Sequence, residues 1–245
     1  MLGVKTGTCK TMLYGDCGRM PVSKYATVNA LKYWKRLCTL SDDMIVKQVY
    51  NTLLNLHNIG FHTWVTDINR LLDEYRLSHL WQEDCANVNI KQHIFQLYKD
   101  EWEDIMSSDT LYPILRTYRM IKTVFGMEPY LKLREFKIRK ALSKLRMSSH
   151  PLAIERGRYT RPKTPIEERL CDKGAIENEE HFISECSFYD NDRNELQRNI
   201  ASVLGQEGAT YDFITIFKHT ELDILHYVGK FIKVSMQKRD TYIST

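Results

Sequence analysis

The sequence lacks the long apolar runs of membrane proteins, since no stretch approaches the roughly 18 consecutive apolar residues of a transmembrane helix. Its N-terminal segment, MLGVKTGTCKTMLYGDCGRM, has no continuous apolar core, so a secretory signal is not expected. Cysteine is sparse, and six residues in 245 are too few for a disulfide scaffold. These absences predict an intracellular protein with free thiols and no membrane partner.

Catalytic and cofactor motifs are also lacking. The sequence contains no G-x-x-x-x-G-K-[ST], H-E-x-x-H, G-x-S-x-G or G-x-G-x-x-G. The neighbouring Asp42 and Asp43 suit the start of a helix better than metal-dependent phosphoryl chemistry. A standalone enzyme is therefore not expected, and no catalytic residue is assigned.

Helical periodicity dominates what is present, and it predicts a mainly α fold. Residues 1–147 are expected to form a multi-helix domain. Residues 148–170 hold three of the six prolines and form a basic linker, expected to be exposed and irregular. Residues 171–245 are expected to hold a small degenerate zinc-knuckle-like segment followed by C-terminal helices.

Positive charge is concentrated in the middle of the chain. Between Arg116 and Arg169 there are fifteen Lys/Arg and five Asp/Glu, whereas the whole chain carries a net charge of only +4. Cations interleaved with aromatic residues suit a nucleic-acid strand, although a solvated helix face with its rings in the core is the alternative. The candidate phosphate-binding residues are Lys137, Arg139, Lys140, Lys144, Arg146, Arg158, Arg161 and Lys163.

One segment, CDKGAIENEEHFISEC, has the spacing Cys171-x9-His181-x4-Cys186. Cys and His side chains at such spacing can converge on one zinc ion, but a structural zinc site takes four ligands. Glu168 occupies the position three residues before Cys171, where a second cysteine would be usual. The alternatives are a disulfide, or two buried thiols beside an ordinary histidine.

Several phrases, in their order along the chain, resemble the C-terminal region of animal non-LTR (LINE-type) retrotransposon reverse transcriptases, downstream of the polymerase palm. They are LYGDCGRMPV, ALKYWKRL, FHTWVTDINRLLDEYRLSHLW, YRMIKTVFGMEPYL, ALSKLRMSSHPLAIERGRY, IENEEHFISECSFYDNDRNEL and GKFIKVSMQKRD. The sixth resembles the cysteine–histidine motif of that family, in which C-x2-C precedes H-x4-C. Two positions depart from the motif: Glu168 replaces its first cysteine and Ser187 its usual proline.

The resemblance implies a non-catalytic fragment that binds RNA or DNA electrostatically, without the polymerase or endonuclease active sites. Residues 1–147 would then be thumb- or connector-like, and an upstream reverse transcriptase domain would be a partner. We expect Cys171, His181 and Cys186 to converge as an incomplete knuckle with weak or no zinc. The alternative function is a helical protein-interaction or scaffold module whose basic patch meets an acidic partner.

Overall fold

The computed structural model describes residues 2–81, 88–108 and 112–244, and within these ranges the fold is mainly α with no β-strand. The mainly α part of the predicted fold class is therefore confirmed. The helices are α1 (Lys10–Cys17), α2 (Val22–Thr39), α3 (Ile45–Asn58), α4 (Trp64–Glu74), α5 (Ile90–Ser107), α6 (Arg116–Ile121), α7 (Phe136–Arg146), α8 (Ala153–Arg156), α9 (Asp190–Leu204), α10 (Phe213–Lys218) and α11 (Leu222–Ser244). None of the helices in the described ranges combines the length and apolar character needed to cross a bilayer.

The chain forms two compact units. The middle unit comprises Met20–Asp104, and the bipartite unit joins Met1–Arg19 to Ile105–Thr245. In the middle unit, the ring of Trp34 is buried and stacks on Trp81 with 6.0 Å between ring centroids. Its Nε1–H donates to the hydroxyl of Tyr50 on α3 at 3.2 Å, so the indole is both packed and satisfied.

The bipartite unit is centred on α7 and α11. One side of α7 faces the core, because Ile138, Leu142 and Leu145 are buried together with residues of α9 and α11. Gly229 of α11 allows this close packing. A Cβ atom added there would lie 2.5 Å from a methyl carbon of Ile138, closer than real side chains come.

The compact units do not follow the boundaries predicted at residues 147 and 170. Leu152 and Ile154, both assigned to the linker, are buried in the core that α7 shares with α9–α11. Residues 153–156 form the short helix α8, and Ala153, Ile154 and Glu155 are buried, so this part of the linker is neither exposed nor irregular. The expected exposure is found from Tyr159 to Lys163. Apolar burial outweighs the breaking tendency of the nearby prolines.

A buried polar network joins α1 to α7. The Asp16 carboxylate is 0% exposed, and it accepts hydrogen bonds from the hydroxyls of Tyr118 at 2.8 Å and Tyr130 at 2.9 Å. Arg146 Nε lies 3.2 Å from the same carboxylate, and Arg146 Nη2 lies 2.8 Å from Glu128. Burial, reinforced by the charge of Asp16, raises the pKa of both tyrosines, so they remain neutral donors.

Arg146 stays charged inside this network. Burial disfavours the charged guanidinium and lowers its pKa. The charges of Asp16 and Glu128 raise the pKa by more, so the net shift is upward. Its Nη1 also donates to the carbonyl of Phe217 at 3.1 Å. A buried ion pair of this kind adds little net stability, but removal of one partner leaves a charge without compensation.

Asp16→Ala should therefore destabilise the bipartite unit by about 3–5 kcal/mol, because Arg146 remains buried and charged. Urea unfolding followed by far-UV circular dichroism measures the loss. All four tryptophans lie in Met20–Asp104, so tryptophan fluorescence monitors the middle unit separately. The matched control is Glu195→Ala, which removes an exposed ion pair with Lys230 and should cost less than about 1 kcal/mol. Equal effects of the two substitutions would contradict this account.

Candidate metal centre and basic cavity

A tight turn positions Cys171. The N–H of Cys171 donates to the carbonyl of Ala175 at 2.8 Å, and the N–H of Gly174 donates back to the carbonyl of Cys171 at 2.9 Å. Gly174 has a φ of +80°, a conformation that glycine adopts without strain. An antiparallel bridge between Leu170 and Ile176 closes the base of the turn. The segment DKGA therefore forms a tight turn.

His181 and Cys186 lie on the following π-helical turn, His181–Glu185, and at its end. The N–H of His181 is held by Asn178 Oδ1 at 2.7 Å, and the N–H of Cys186 donates to the carbonyl of His181 at 2.8 Å. His181 Nε2 lies 3.3 Å from Cys171 Sγ, and the three potential ligand atoms lie within 4.8 Å of one another. The predicted convergence is confirmed, and the group could hold a metal ion.

The surroundings orient both ligand types. Glu185 Oε2 lies 3.0 Å from His181 Nδ1, so this ring nitrogen carries the proton and donates to the carboxylate. Nε2 is then left as a lone-pair donor on the side of the cysteines, as in carboxylate-supported metal ligands. Burial, with the neighbouring Cys171 thiol, raises the pKa of Cys186, while a hydrogen bond from the backbone of Phe188 opposes that shift.

Glu168 does not join the convergent group. It ends an exposed turn at Ile166–Glu168, and its carboxylate is not among the clustered ligand atoms. A tetrahedral zinc ion with bonds of about 2.0–2.3 Å needs donors roughly 3.3–3.8 Å apart, a separation that these three side chains can reach. Three protein donors leave one position for water or another ligand. Among the described residues, the donor set is open rather than a closed four-ligand site.

The predicted phosphate-binding lysines lie together. Lys137 is exposed, while Lys140 and Lys144 are half-buried on the same side of α7. All three line a cavity of about 480 Å³, which Lys5 of the N-terminal segment and Lys233 of α11 also line. Among the residues that the structure describes, none of the five forms an ion pair.

The predicted arginines and Lys163 are placed differently. Arg146 is 1% exposed and paired with buried acids. The prediction that it contacts phosphate is therefore wrong. Arg139 donates to the carbonyls of Leu133 and Arg134, and Arg158 pairs with Glu155 at 3.2 Å. Arg161 and Lys163 are exposed, and no ion pair holds either one within the described ranges. These last two remain candidates, but they do not line the lysine cavity.

Three residues of the site were not predicted. Lys5 and Lys233 lie outside the basic stretch, and only the fold brings them to α7. Glu185 was detectable, because the i, i+4 spacing from His181 in HFISE is a common position for a supporting carboxylate.

His150 also lines the cavity, and it is buried at 2% exposure. Its Nε2 lies 3.0 Å from Glu179, a carboxylate that also accepts from Arg116 and Thr117 at 3.0 Å each. Burial opposes ionisation of Glu179, but the hydrogen bond and charge of His150, with Arg116, lower its pKa to about 2. Glu179 is therefore an acceptor, and His150 Nε2 carries the proton that it donates.

No protein-family model, no curated protein and no solved structure matches the chain. The assignment of function consequently depends on the geometry of the two sites and on the sequence. The metal-ligand group and the lysine cavity both belong to the bipartite unit.

Mild oxidation of the metal-free protein should join Cys171 to Cys186 before other cysteines react, because their sulfur atoms lie within 4.8 Å of each other. Cys9, Cys17 and Cys38 serve as internal comparisons, since each is free. Alkylation of the remaining thiols followed by peptide mass spectrometry identifies the bond. Preferential oxidation at Cys9, Cys17 or Cys38 would contradict the prediction.

Proposed function

We propose that the chain binds RNA or DNA without sequence preference and takes no catalytic part in the chemistry of its ligand. The observation that carries the proposal is that Lys137, Lys140 and Lys144 on α7 form no ion pair with any residue that the structure describes. Cations left unpaired at a surface are available to phosphates, and release of counterions drives such binding.

The connector supplies further exposed cations. Arg161 and Lys163 form no ion pair within the described part of the chain, and the ring of Tyr159, close to them in sequence, is 68% exposed. An exposed aromatic ring next to cations suits stacking with an unpaired base while the cations contact its phosphates. This combination favours a single-stranded nucleic acid, whose bases can stack, over a polyanion that has no bases.

The resemblance to LINE-type reverse transcriptases supports the same function. Asp16, Tyr118, Tyr130 and Arg146, from three of the phrases that carry the resemblance, meet in one buried network. In this proposal the chain is the C-terminal part of such an enzyme, and an upstream reverse transcriptase domain would supply the polymerase. The nucleic acid would be the template RNA or the target DNA.

The cysteine–histidine group supports a zinc knuckle of three protein ligands. Cys171, His181 and Cys186 would hold the ion, and the ion would fix the turn at DKGA to the π-helical turn. Its role would be structural, as a cross-link between two short segments that have little regular structure. With three ligands rather than four, we expect the ion to be held weakly.

A second candidate is a helical protein-interaction module, and α3 favours it. Ile45 is 77% exposed, and Val46 and Val49 are also exposed on the first two turns of this helix. An exposed apolar patch on a folded unit marks many interaction surfaces. In this alternative the lysines would meet an acidic protein rather than phosphates. A greater affinity for a poly-glutamate peptide than for RNA of equal charge would favour it.

Charge reversal tests nucleic-acid binding. The triple substitution of Lys137, Lys140 and Lys144 by Glu should weaken binding to an unstructured RNA by more than tenfold, because three phosphate contacts are lost. Fluorescence anisotropy at several salt concentrations should also show a salt slope smaller by about 2, at roughly 0.7 per contact. The control replaces Lys10, Lys132 and Lys218, which are exposed in the same unit, by Glu. Equal losses in both variants, or binding insensitive to salt, would contradict the proposal.

Zinc titration tests the knuckle. We expect one zinc ion per chain, removable by dialysis against a chelator, with Cys171→Ser or Cys186→Ser abolishing its binding. Glu185→Gln should lower the affinity by about 10–100-fold through loss of support to His181. Glu168→Ala is the matched control and should leave the affinity unchanged. Zinc that survives the chelator would refute the weak-site prediction, and absence of binding at saturating zinc would refute the knuckle.

A further inference from the structure

The lysine cavity is concave and half-open, with room for a ligand. Its volume of about 480 Å³ falls in the range of small-molecule sites, roughly 300–1,000 Å³. Three separate parts of the chain supply its walls: the N-terminal segment, α7 with the residues that follow it, and α11. Leu145, Ile232 and Met236 form an apolar part of its lining.

Five lysines line this one cavity. Lys137, Lys140 and Lys144 are spaced at i, i+3 and i+7, which places them along one face of α7. Lys5 and Lys233 come from the other two walls, and Asp240 is the one acidic residue in the lining. Mutual repulsion of so many like charges disfavours the empty cavity, so an anion gains affinity by relieving it.

The cavity is partly preorganised. Gly3, with a φ of +71°, packs so closely on the stem of Lys140 that an added Cβ would lie 2.7 Å from Lys140 Cγ. The N–H of Lys5 donates to Ser149 Oγ at 2.9 Å, which anchors the N-terminal segment to the wall after α7. The Gly3 contact restricts the stem of Lys140, and the Lys5 hydrogen bond holds the backbone of the N-terminal segment, so less conformational entropy is lost when a ligand binds.

His150 provides a polar group that the protein leaves unsatisfied. Its Nε2 donates to Glu179, while its Nδ1 is buried and has no hydrogen-bond partner among the residues that the structure describes. Most buried polar atoms are hydrogen-bonded, and an exception calls for a specific cause. A ligand in the cavity, or a water molecule held by that ligand, would supply the missing partner.

We infer that this cavity binds a triphosphate group. A single phosphodiester cannot engage five ammonium groups from three walls, whereas three adjacent phosphates present enough oxygens and charge in a compact volume. The apolar part of the lining would contact the nucleoside attached to that group. The same chemistry occurs in a free nucleotide and at the 5′ end of an RNA, so both sources are tested below.

The inference rests on the proposed function in one respect, because Lys137, Lys140 and Lys144 are shared with the nucleic-acid surface. Lys5 and Lys233 are not part of that surface, and they separate the two proposals. Replacement of Lys5 and Lys233 by Gln removes one cation from each of two walls and leaves the three lysines of α7 intact. Lys10→Gln with Lys218→Gln is the matched control, with the same charge change on exposed residues of the same unit.

The experiment uses the full chain and isothermal titration with three probes: tripolyphosphate, a short RNA with a 5′-triphosphate, and the same RNA with a 5′-hydroxyl. We expect tripolyphosphate to bind with one site per chain. The 5′-triphosphate should tighten RNA binding about tenfold, the effect of one or two added charge-assisted hydrogen bonds. The Lys5/Lys233 variant should lose both effects, whereas its affinity for the 5′-hydroxyl RNA should fall no further than that of the Lys10/Lys218 control.

The outcomes separate the two proposals. If both RNAs bind equally and tripolyphosphate does not bind, the triphosphate site is refuted and nucleic-acid binding stands. If tripolyphosphate binds and neither RNA does, the proposed function is refuted and the cavity is a site for free triphosphates. If the control variant loses affinity for tripolyphosphate as strongly as the Lys5/Lys233 variant, binding is diffuse attraction and the inference is overturned.

Discussion

The ion pair between Asp16 and Arg146 is the constraint on which the bipartite unit depends. It links side chains 130 positions apart, and both are almost fully buried. With Glu128 and two tyrosines it fixes the C-terminal end of α7. Because that end is fixed, the orientation of the whole helix about its axis is fixed too. The lysines of α7 are therefore held in fixed positions along one cavity.

A second buried acid organises the cysteine–histidine segment. Glu177 accepts hydrogen bonds from Arg239 of α11 and from the N–H of Ala153 at the start of α8. Its own backbone bonds to Arg169 and Ile154. The turn that carries Cys171 is consequently tied to α8 and α11 by protein contacts alone. This explains why the ligand atoms converge even though the donor set is open.

The sequence predicted those parts of the structure that depend on local patterns. The 3.6-residue period predicted the mainly α class, and the spacing from Cys171 to Cys186 predicted their convergence. Local sequence patterns could not predict contacts between residues far apart in the chain. Arg146 belongs to a basic run, and nothing near it in sequence reveals Asp16 as its partner. Leu152 and Ile154 make too short an apolar pattern to outweigh the surrounding prolines, so their burial was missed.

The bipartite unit begins with residues 1–19 and is completed only after residue 105, with the middle unit between these two parts. During synthesis, Asp16 leaves the ribosome long before Arg146 exists, so it must stay hydrated while the intervening chain is made. The middle unit can fold in that interval, since all of its residues are contiguous. The bipartite unit can fold only after contacts form between residues far apart in the chain. It should therefore form more slowly than the middle unit. A nascent chain that stalls before α7 can therefore hold a folded middle unit while α1 still lacks Arg146, the ion-pair partner of Asp16.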